Sequence, residues 1–341
     1  MTARLGKLLL RVFGALALLA LAVALVGPQR LLEQLRAVDL RWFGAALVCA
    51  AAANFVSAWR WAYIARAFGL VAPLAALVSA YAQGITVNVL LPGATVGGDA
   101  LRSVRLARLG NPLAASALTV VLDRLSGLWM LCLISLFAAL GFASWALASG
   151  RAAAQEAWQA LLGAAGPQGL AFYVVALCAA VVLPFLPWRM PATATGQPAN
   201  WRARLRARLS EVHALVLSRR VALVRSLWPS FVVQILSAGT LWLCARALGI
   251  EAGFLAIAAI AAPVFIAAAL PFSLGGFGPR EFAAGIAFAL LGLPPPGGVA
   301  SAVLFGLTAV AQGVLAAPLL ALHGPQARTP PRPPQRERGR G

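Results

Sequence analysis

Acidic residues are scarce in this chain: Asp and Glu together number 9, against 28 Lys and Arg, in 341 residues. Charged residues of both signs make up only 11%, where a soluble domain carries roughly a quarter. So little charge cannot cover a surface facing water, and a hydrophobic content of 61% cannot be hidden in one core. A soluble globular fold is therefore excluded. Histidine is scarce too. His213 and His323 are remote from each other and from any carboxylate cluster, so no metal-ligand spacing exists and no Ser-His-Asp or Cys-His set can be assembled. No motif asks for a cofactor, no P-loop is present, and no residue is assigned a catalytic role. Cys49, Cys132, Cys178 and Cys244 lie singly in apolar stretches and read as small hydrophobes inside helices.

What is present is apolar sequence, with a mean hydropathy of +0.85. Several runs approach the ~20 residues that span a bilayer. The chain reads as an all-α polytopic membrane protein. Its net charge of +19 comes almost wholly from arginine, since Lys7 is the sole lysine. The arginines lie between apolar runs and in the tail, as expected of cytoplasmic loops facing anionic headgroups rather than of a nucleic-acid surface.

Taken in order, residues 12–27 read as a retained first helix behind Arg4, Lys7 and Arg11. Residues 28–41 read as an amphipathic connector and 42–57 as a second span. That span ends in Trp59-Arg60-Trp61, an aromatic and Arg cluster suited to the headgroup level, where Arg60 would be an interfacial lipid contact. Spans are also expected over 125–145, 169–187, 229–248 and 299–322, which makes about six. Residues 188–228 are the most basic region. At 100° per residue Trp201, Leu205, Leu209, Val212 and Val216 fall on one arc flanked by Arg202, Arg204, Arg206 and Arg208. This pattern predicts an interfacial cytoplasmic helix with snorkelling arginines that touch lipid. The expected organisation is a membrane domain over 1–324, with halves 1–187 and 229–324 joined by 188–228, then a disordered Pro/Arg-rich tail over 325–341.

Two strings stand out. Leu91-Pro92-Gly93-Ala94-Thr95-Val96-Gly97-Gly98-Asp99-Ala100-Leu101-Arg102 is echoed by Leu270-Pro271-Phe272-Ser273-Leu274-Gly275-Gly276-Phe277-Gly278-Pro279-Arg280-Glu281. Each has Leu-Pro, a short spacer, Gly-Gly, an Arg four residues later and a carboxylate nearby. If 74–102 crossed the membrane completely, the basic segments 102–124 and 188–228 and the N-terminus could not all be cytoplasmic. If 74–102 dips in and returns, they can. The same reasoning makes 254–293 a hairpin entered from the outside. The result is two re-entrant or broken-helix hairpins arranged as an inverted repeat, both termini cytoplasmic, with the motifs lining a cavity.

Asp99, Asp123 and Glu281 are the carboxylates within or beside apolar segments, each with an arginine close in sequence: Arg102, Arg124 and Arg280. A charge at the bilayer centre costs at least ~3 kcal/mol, so these positions point to a ligand site or to locking ion pairs. Glycines allow close approach of a ligand. Helix starts after Gly98 and Gly278-Pro279 would aim N-terminal dipoles at an anion such as phosphate, which Arg matches with a bidentate fork.

On these residues the chain resembles the lysylphosphatidylglycerol synthase transmembrane region, or flippase-like, family. The resemblance is carried by Asn88-Val89-Leu90-Leu91-Pro92-Gly93 with Gly97-Gly98-Asp99-Ala100-Leu101-Arg102, by 271–281, and by the Trp59-Arg60 and Asp123-Arg124 pairs. It covers roughly residues 5–322. It implies a module that moves a modified lipid across the bilayer. Lysyl transfer is not implied, because that chemistry belongs to a separate soluble domain and only a short tail follows His323. Stand-alone relatives are tied to phospholipid, polyprenyl-linked or hopanoid lipids.

The expectation is thus a lipid translocase of the plasma (inner) membrane, handling an anionic or aminoacylated phospholipid or a polyprenyl- or hopanoid-type lipid. Its candidate lipid-binding residues are Asn88, Pro92, Gly97, Gly98, Asp99, Arg102, Asp123, Arg124, Pro271, Gly275, Gly276, Arg280 and Glu281. A separate lipid-modifying enzyme is a candidate partner, and the oligomeric state is left open. Two alternatives remain: a membrane-embedded lipid-headgroup transferase (or a subunit of one) with Asp99 or Glu281 as general base, and a small-solute secondary transporter.

Overall fold

A computed structural model describes residues 29, 33, 36–90, 95–148, 152–182, 214–215, 218–270 and 277–322. Among these residues the chain is helical, apart from turns and short connectors. The first helix α1 (Leu40–Ala67) is followed by two short helices, α2 (Leu74–Leu90) and α3 (Thr95–Ala107), and by the long α4 (Leu113–Ala148). Next comes α5 (Ala152–Val182), broken by a non-helical Gly166 before Pro167. The second series is α6 (Arg220–Arg225), α7 (Leu227–Ala247), α8 (Phe254–Ala268), α9 (Pro279–Leu290), α10 (Pro295–Ala316) and α11 (Pro318–Leu322).

Four stretches are long and apolar enough to cross a membrane: Leu40–Ala67, Leu113–Ala148, Arg220–Ala247 and Pro295–Ala316. Their extents correct the expected spans. The helix expected over 42–57 continues to Ala67, so the Trp59-Arg60-Trp61 cluster lies within a helix, with Arg60 and Trp61 buried. The span expected to start at 125 starts at Leu113, so Asp123 and Arg124 are interior residues of α4. The run expected over 299–322 ends at Ala316 and restarts at Pro318, because proline lacks the N–H that would continue the helix. Of the span expected over 169–187, the described part lies in the second half of α5, past the kink at Gly166. The expected first helix over 12–27, the interfacial helix with Trp201, Arg202, Arg204, Arg206 and Arg208, and the 325–341 tail lie outside the described residues.

The order long, short, short, long occurs twice, as α1–α4 and as α7–α10, and the local chemistry repeats with it. Ala65-Arg66-Ala67-Phe68-Gly69-Leu70 ends α1, and Ala245-Arg246-Ala247-Leu248-Gly249-Ile250 ends α7. In both, a glycine at positive φ (76° and 72°) closes the helix. The following amide donates back to the alanine carbonyl, Leu70 N to Ala65 O and Ile250 N to Ala245 O, each at 3.0 Å. This is the backward bond that a left-handed residue past a helix end allows. Gly110 and Gly292 close α3 and α9 in the same left-handed region.

Contacts between helices follow the same correspondence. Helices α1 and α7 lie against each other, α4 against α8, and reciprocally α10 against α2. The short helices pair as α2 with α3 and α8 with α9. Much of the core surrounds the second pair, where Leu241, Ile257, Val264, Ala284 and Phe288 are fully or almost fully buried. In α8, Pro263 cannot donate to the carbonyl of Ala259. The Tyr173 hydroxyl donates to that carbonyl instead. Ser135 Oγ donates to Ala258 O at 2.9 Å and accepts from Ala262 N at 3.1 Å, so α4 and α5 together satisfy a helix weakened by its own proline.

Candidate functional site

The first short pair is a tight antiparallel hairpin. Gly98 N donates to Asn88 Oδ1 at 3.0 Å, tying the start of α3 to the end of α2. Any side chain at Gly98 would run into Asn88 and the Gly84 carbonyl, so glycine is required for the close approach. Asn88 therefore braces the hairpin. The helix begins at Thr95 rather than after Gly98, because Gly97 and Gly98 keep helical geometry; they lie in its first turn.

This geometry places Arg102 on the inner side of α3. It is 2% exposed. Its guanidinium is sandwiched between the rings of Trp61 and Tyr81, with Cζ 4.4 Å from each centroid. Such stacking favours a cation, and more so when it is shielded from water. Arg102 Nη2 donates to Asp123 Oδ2 at 2.9 Å, and Arg60 Nε to Asp123 Oδ1 at 2.8 Å. Asp123 is 1% exposed and Arg60 4%. Arg60 also reaches Ser230 Oγ on α7 at 3.1 Å. Gly127, one turn along α4, leaves room for this: a Cβ there would stand 3.2 Å from Arg60 Nη1.

Arg60 as an interfacial lipid contact is thus corrected: its side chain points inward to a buried carboxylate. The pairing inferred from sequence neighbours is corrected as well. Asp123 is held by Arg60 and Arg102, and its neighbour Arg124 turns the other way to grip Asp99. Arg124 Nη2 lies 2.9 Å from Asp99 Oδ1 and Nε 3.0 Å from Oδ2, a two-pronged pair. Adjacent residues on a helix face about 100° apart, so they cannot share one partner well. The expected Asp99–Arg102 contact is present but longer, at 3.3 Å.

The result is one chain of charge, Arg60–Asp123–Arg102–Asp99–Arg124, linking α1, α3 and α4. Three cations face two anions. Its inner members are buried, while the side chains of Asp99 and Arg124 are 26% and 48% exposed. Arg102 Nε is buried without a hydrogen-bond partner.

The second half is built differently. Arg280 and Glu281 are 2% and 0% exposed. Arg280 Nη2 donates to Glu281 Oε1 at 2.6 Å, and the Gly278 amide donates to Glu281 Oε2, also at 2.6 Å. As expected, α9 starts right after Gly278, but the chain's own Glu281 takes the anion position at that helix start. Arg280 packs over Phe277 and Phe305, with Cζ 4.7 Å and 5.5 Å from the ring centroids. Gly306 on α10 makes the space, since a Cβ there would overlap the guanidinium. Pro92, Pro271, Gly275 and Gly276 lie outside the described residues.

Several contributors escaped the sequence reading. Tyr81, Gly127, Ser230 and Gly306 have no charge or motif to flag them, and Trp61, noted as an interfacial aromatic, stacks on Arg102 instead. The helix-capping repeat at 65–70 and 245–250 was findable from its shared Ala-Arg-Ala-x-Gly pattern.

Membrane-length apolar helices around a buried ionic network, among described residues that are helical apart from turns and connectors, make this an integral membrane protein of polytopic design. A family model for the lysylphosphatidylglycerol synthase TM region matches residues 8–317, and the chain belongs to that family. A comparison with curated proteins finds no match.

Proposed function

We propose that this protein moves a lipid with an anionic headgroup between the leaflets of the plasma (inner) membrane, using the Asp99–Arg124 pair as the first contact for the headgroup. The observation that carries this reading is the uneven exposure of the charge chain. The triad Arg60–Asp123–Arg102 is sealed inside and stabilises the hairpin. Arg124 is held by one partly exposed carboxylate and can exchange it for a phosphate, which the guanidinium fork fits equally well. With three cations to two anions, the network attracts an anion before any exchange occurs. Arg102 lies behind Arg124, linked to it through Asp99. Arg280, neutralised by Glu281, supports the opposite hairpin.

The paired units support an inverted repeat whose two short-helix hairpins enter from opposite faces, with both termini in the cytoplasm. Membrane lipids are the partners in this reading, and a separate lipid-modifying enzyme supplies the substrate. Catalysis by this chain is not part of it.

The test uses the protein in phosphatidylcholine–phosphatidylglycerol vesicles that carry a headgroup-labelled fluorescent phosphatidylglycerol, with a membrane-impermeant quencher outside. The protein lets quenching run past the outer-leaflet half of the label. Arg124→Gln slows that second half while leaving the melting temperature in place. If Arg124→Gln and Arg102→Gln both move lipid at the parent rate, the site assignment is wrong.

A further inference from the structure

A second feature lies well away from the charges. Helices α4, α5, α8 and α9 enclose a groove of about 510 Å³, with Ala139 and Ala143 on one wall, Tyr173 on the next, Ala259 behind, and Ala283 and Ile286 on the far side. Pockets that hold small molecules run from about 300 to 1,000 Å³. Tyr173 is the one lining residue with a polar side-chain atom, and its hydroxyl is spent on the Ala259 carbonyl. Water needs two to four polar partners to stay in a cavity, and here none is on offer.

The groove opens onto the outer surface of the helices. Leu140 and Ile286 at its mouth are each 49% exposed, and Phe172, next along α5, is 76% exposed. In an integral membrane protein these rows face hydrocarbon, so the groove is continuous with the lipid-facing surface. Its depth is also set. Ala139 follows Asp123 by sixteen residues on the uninterrupted α4, which at 1.5 Å per residue is about 24 Å. The hydrocarbon core is about 30 Å thick. With α4 running along the membrane normal and both ends inside that core, the groove and the charge chain fall in opposite leaflets.

We propose that this groove is a binding site for one hydrocarbon chain of a membrane lipid, in the leaflet opposite the Asp99–Arg124 pair. Its walls are alanine-rich because a slender flexible chain, rather than a helix with side chains of its own, must fit between α4 and α9. The bend at Gly166–Pro167 separates the second half of α5, which carries Gly169 and Tyr173 into the groove, from the first half. The site rests on the lipid reading given above and gives it a second station.

The experiment places the full-length protein in phosphatidylcholine–phosphatidylglycerol nanodiscs containing a phosphatidylglycerol with a diazirine in one acyl chain, photolyses them and maps the labelled residues by mass spectrometry. Label concentrates on the groove residues of α4, α5 and α9. Ala283→Phe, which fills the groove, lowers that label roughly tenfold, the factor given by about 1.4 kcal/mol of lost binding. If Ala283→Phe melts low, Ala139→Phe on the opposite wall takes its place. Label spread evenly over Phe137, Phe172 and the groove overturns the proposal, as does groove labelling that both filled variants leave unchanged. So does a protein–protein crosslink there, from residues 12–27 or from a second copy. Because occupancy rather than movement is read, an occupied groove without lipid movement sinks the translocase reading alone. Movement with an unlabelled groove sinks only the chain site.

Discussion

Asp123 shows how much one side chain decides. It is the shared acceptor of Arg60 and Arg102, all three side chains being 5% exposed or less. Removing one partner of a buried pair leaves an uncompensated charge, which costs about 3–5 kcal/mol. Asp123→Asn strands two guanidiniums at once and is expected to lower stability by at least that range. Asp99→Asn loosens the half-exposed Arg124 and the longer contact to Arg102, which keeps Asp123, and should cost less than Asp123→Asn. Thermal melts in detergent compare the two, and equal losses would show that the buried triad has no special structural weight. The residue types were legible in the sequence, since carboxylates are so few. Their partners were not, because Asp123 meets Arg60 across 63 positions and that meeting is made only by α1 lying beside α4.

At the scale of elements, the hairpins depend on glycine for clearance more than for turning. Gly98 has no left-handed backbone to excuse it; it is needed because α2 lies against it. Gly44, in the first turns of α1, has nothing within 4 Å of where a Cβ would be. The same substitution should therefore act in opposite senses. Gly98→Ala overpacks the hairpin and costs about 1–3 kcal/mol, whereas Gly44→Ala gains up to about 1 kcal/mol of helix propensity. Chemical or thermal unfolding of the two variants decides it, and a stabilised Gly98→Ala would contradict the close contact. The breaker strings and the distribution of basic segments located both short-helix pairs, because the proline breaks are local. They misjudged the lengths of α1 and α4, since a helix does not stop at an arginine whose charge is neutralised inside the fold.

For the whole molecule, the contacts of α1–α4 are mirrored by those of α7–α10, and the proposed insertion of their hairpins from opposite faces puts both termini in the cytoplasm. Fusions of green fluorescent protein to either end should both fluoresce in the cytoplasm, and alkaline phosphatase fused at either end should stay inactive. One active phosphatase terminus would remove the even topology and the paired-hairpin scheme with it.

The sequence by itself determined the solvent of this protein. Too little charge and too many apolar residues leave only a bilayer, and the doubled Leu-Pro strings fall between the two members of each short-helix pair. Only the tertiary structure decided which charges are buried and which are available. Asp123 and Arg124 are neighbours in the chain, yet the turn of α4 sends one to a sealed triad and the other to a partly exposed carboxylate. Burial and pairing are properties of the helices that surround a side chain, and those come from distant parts of the chain.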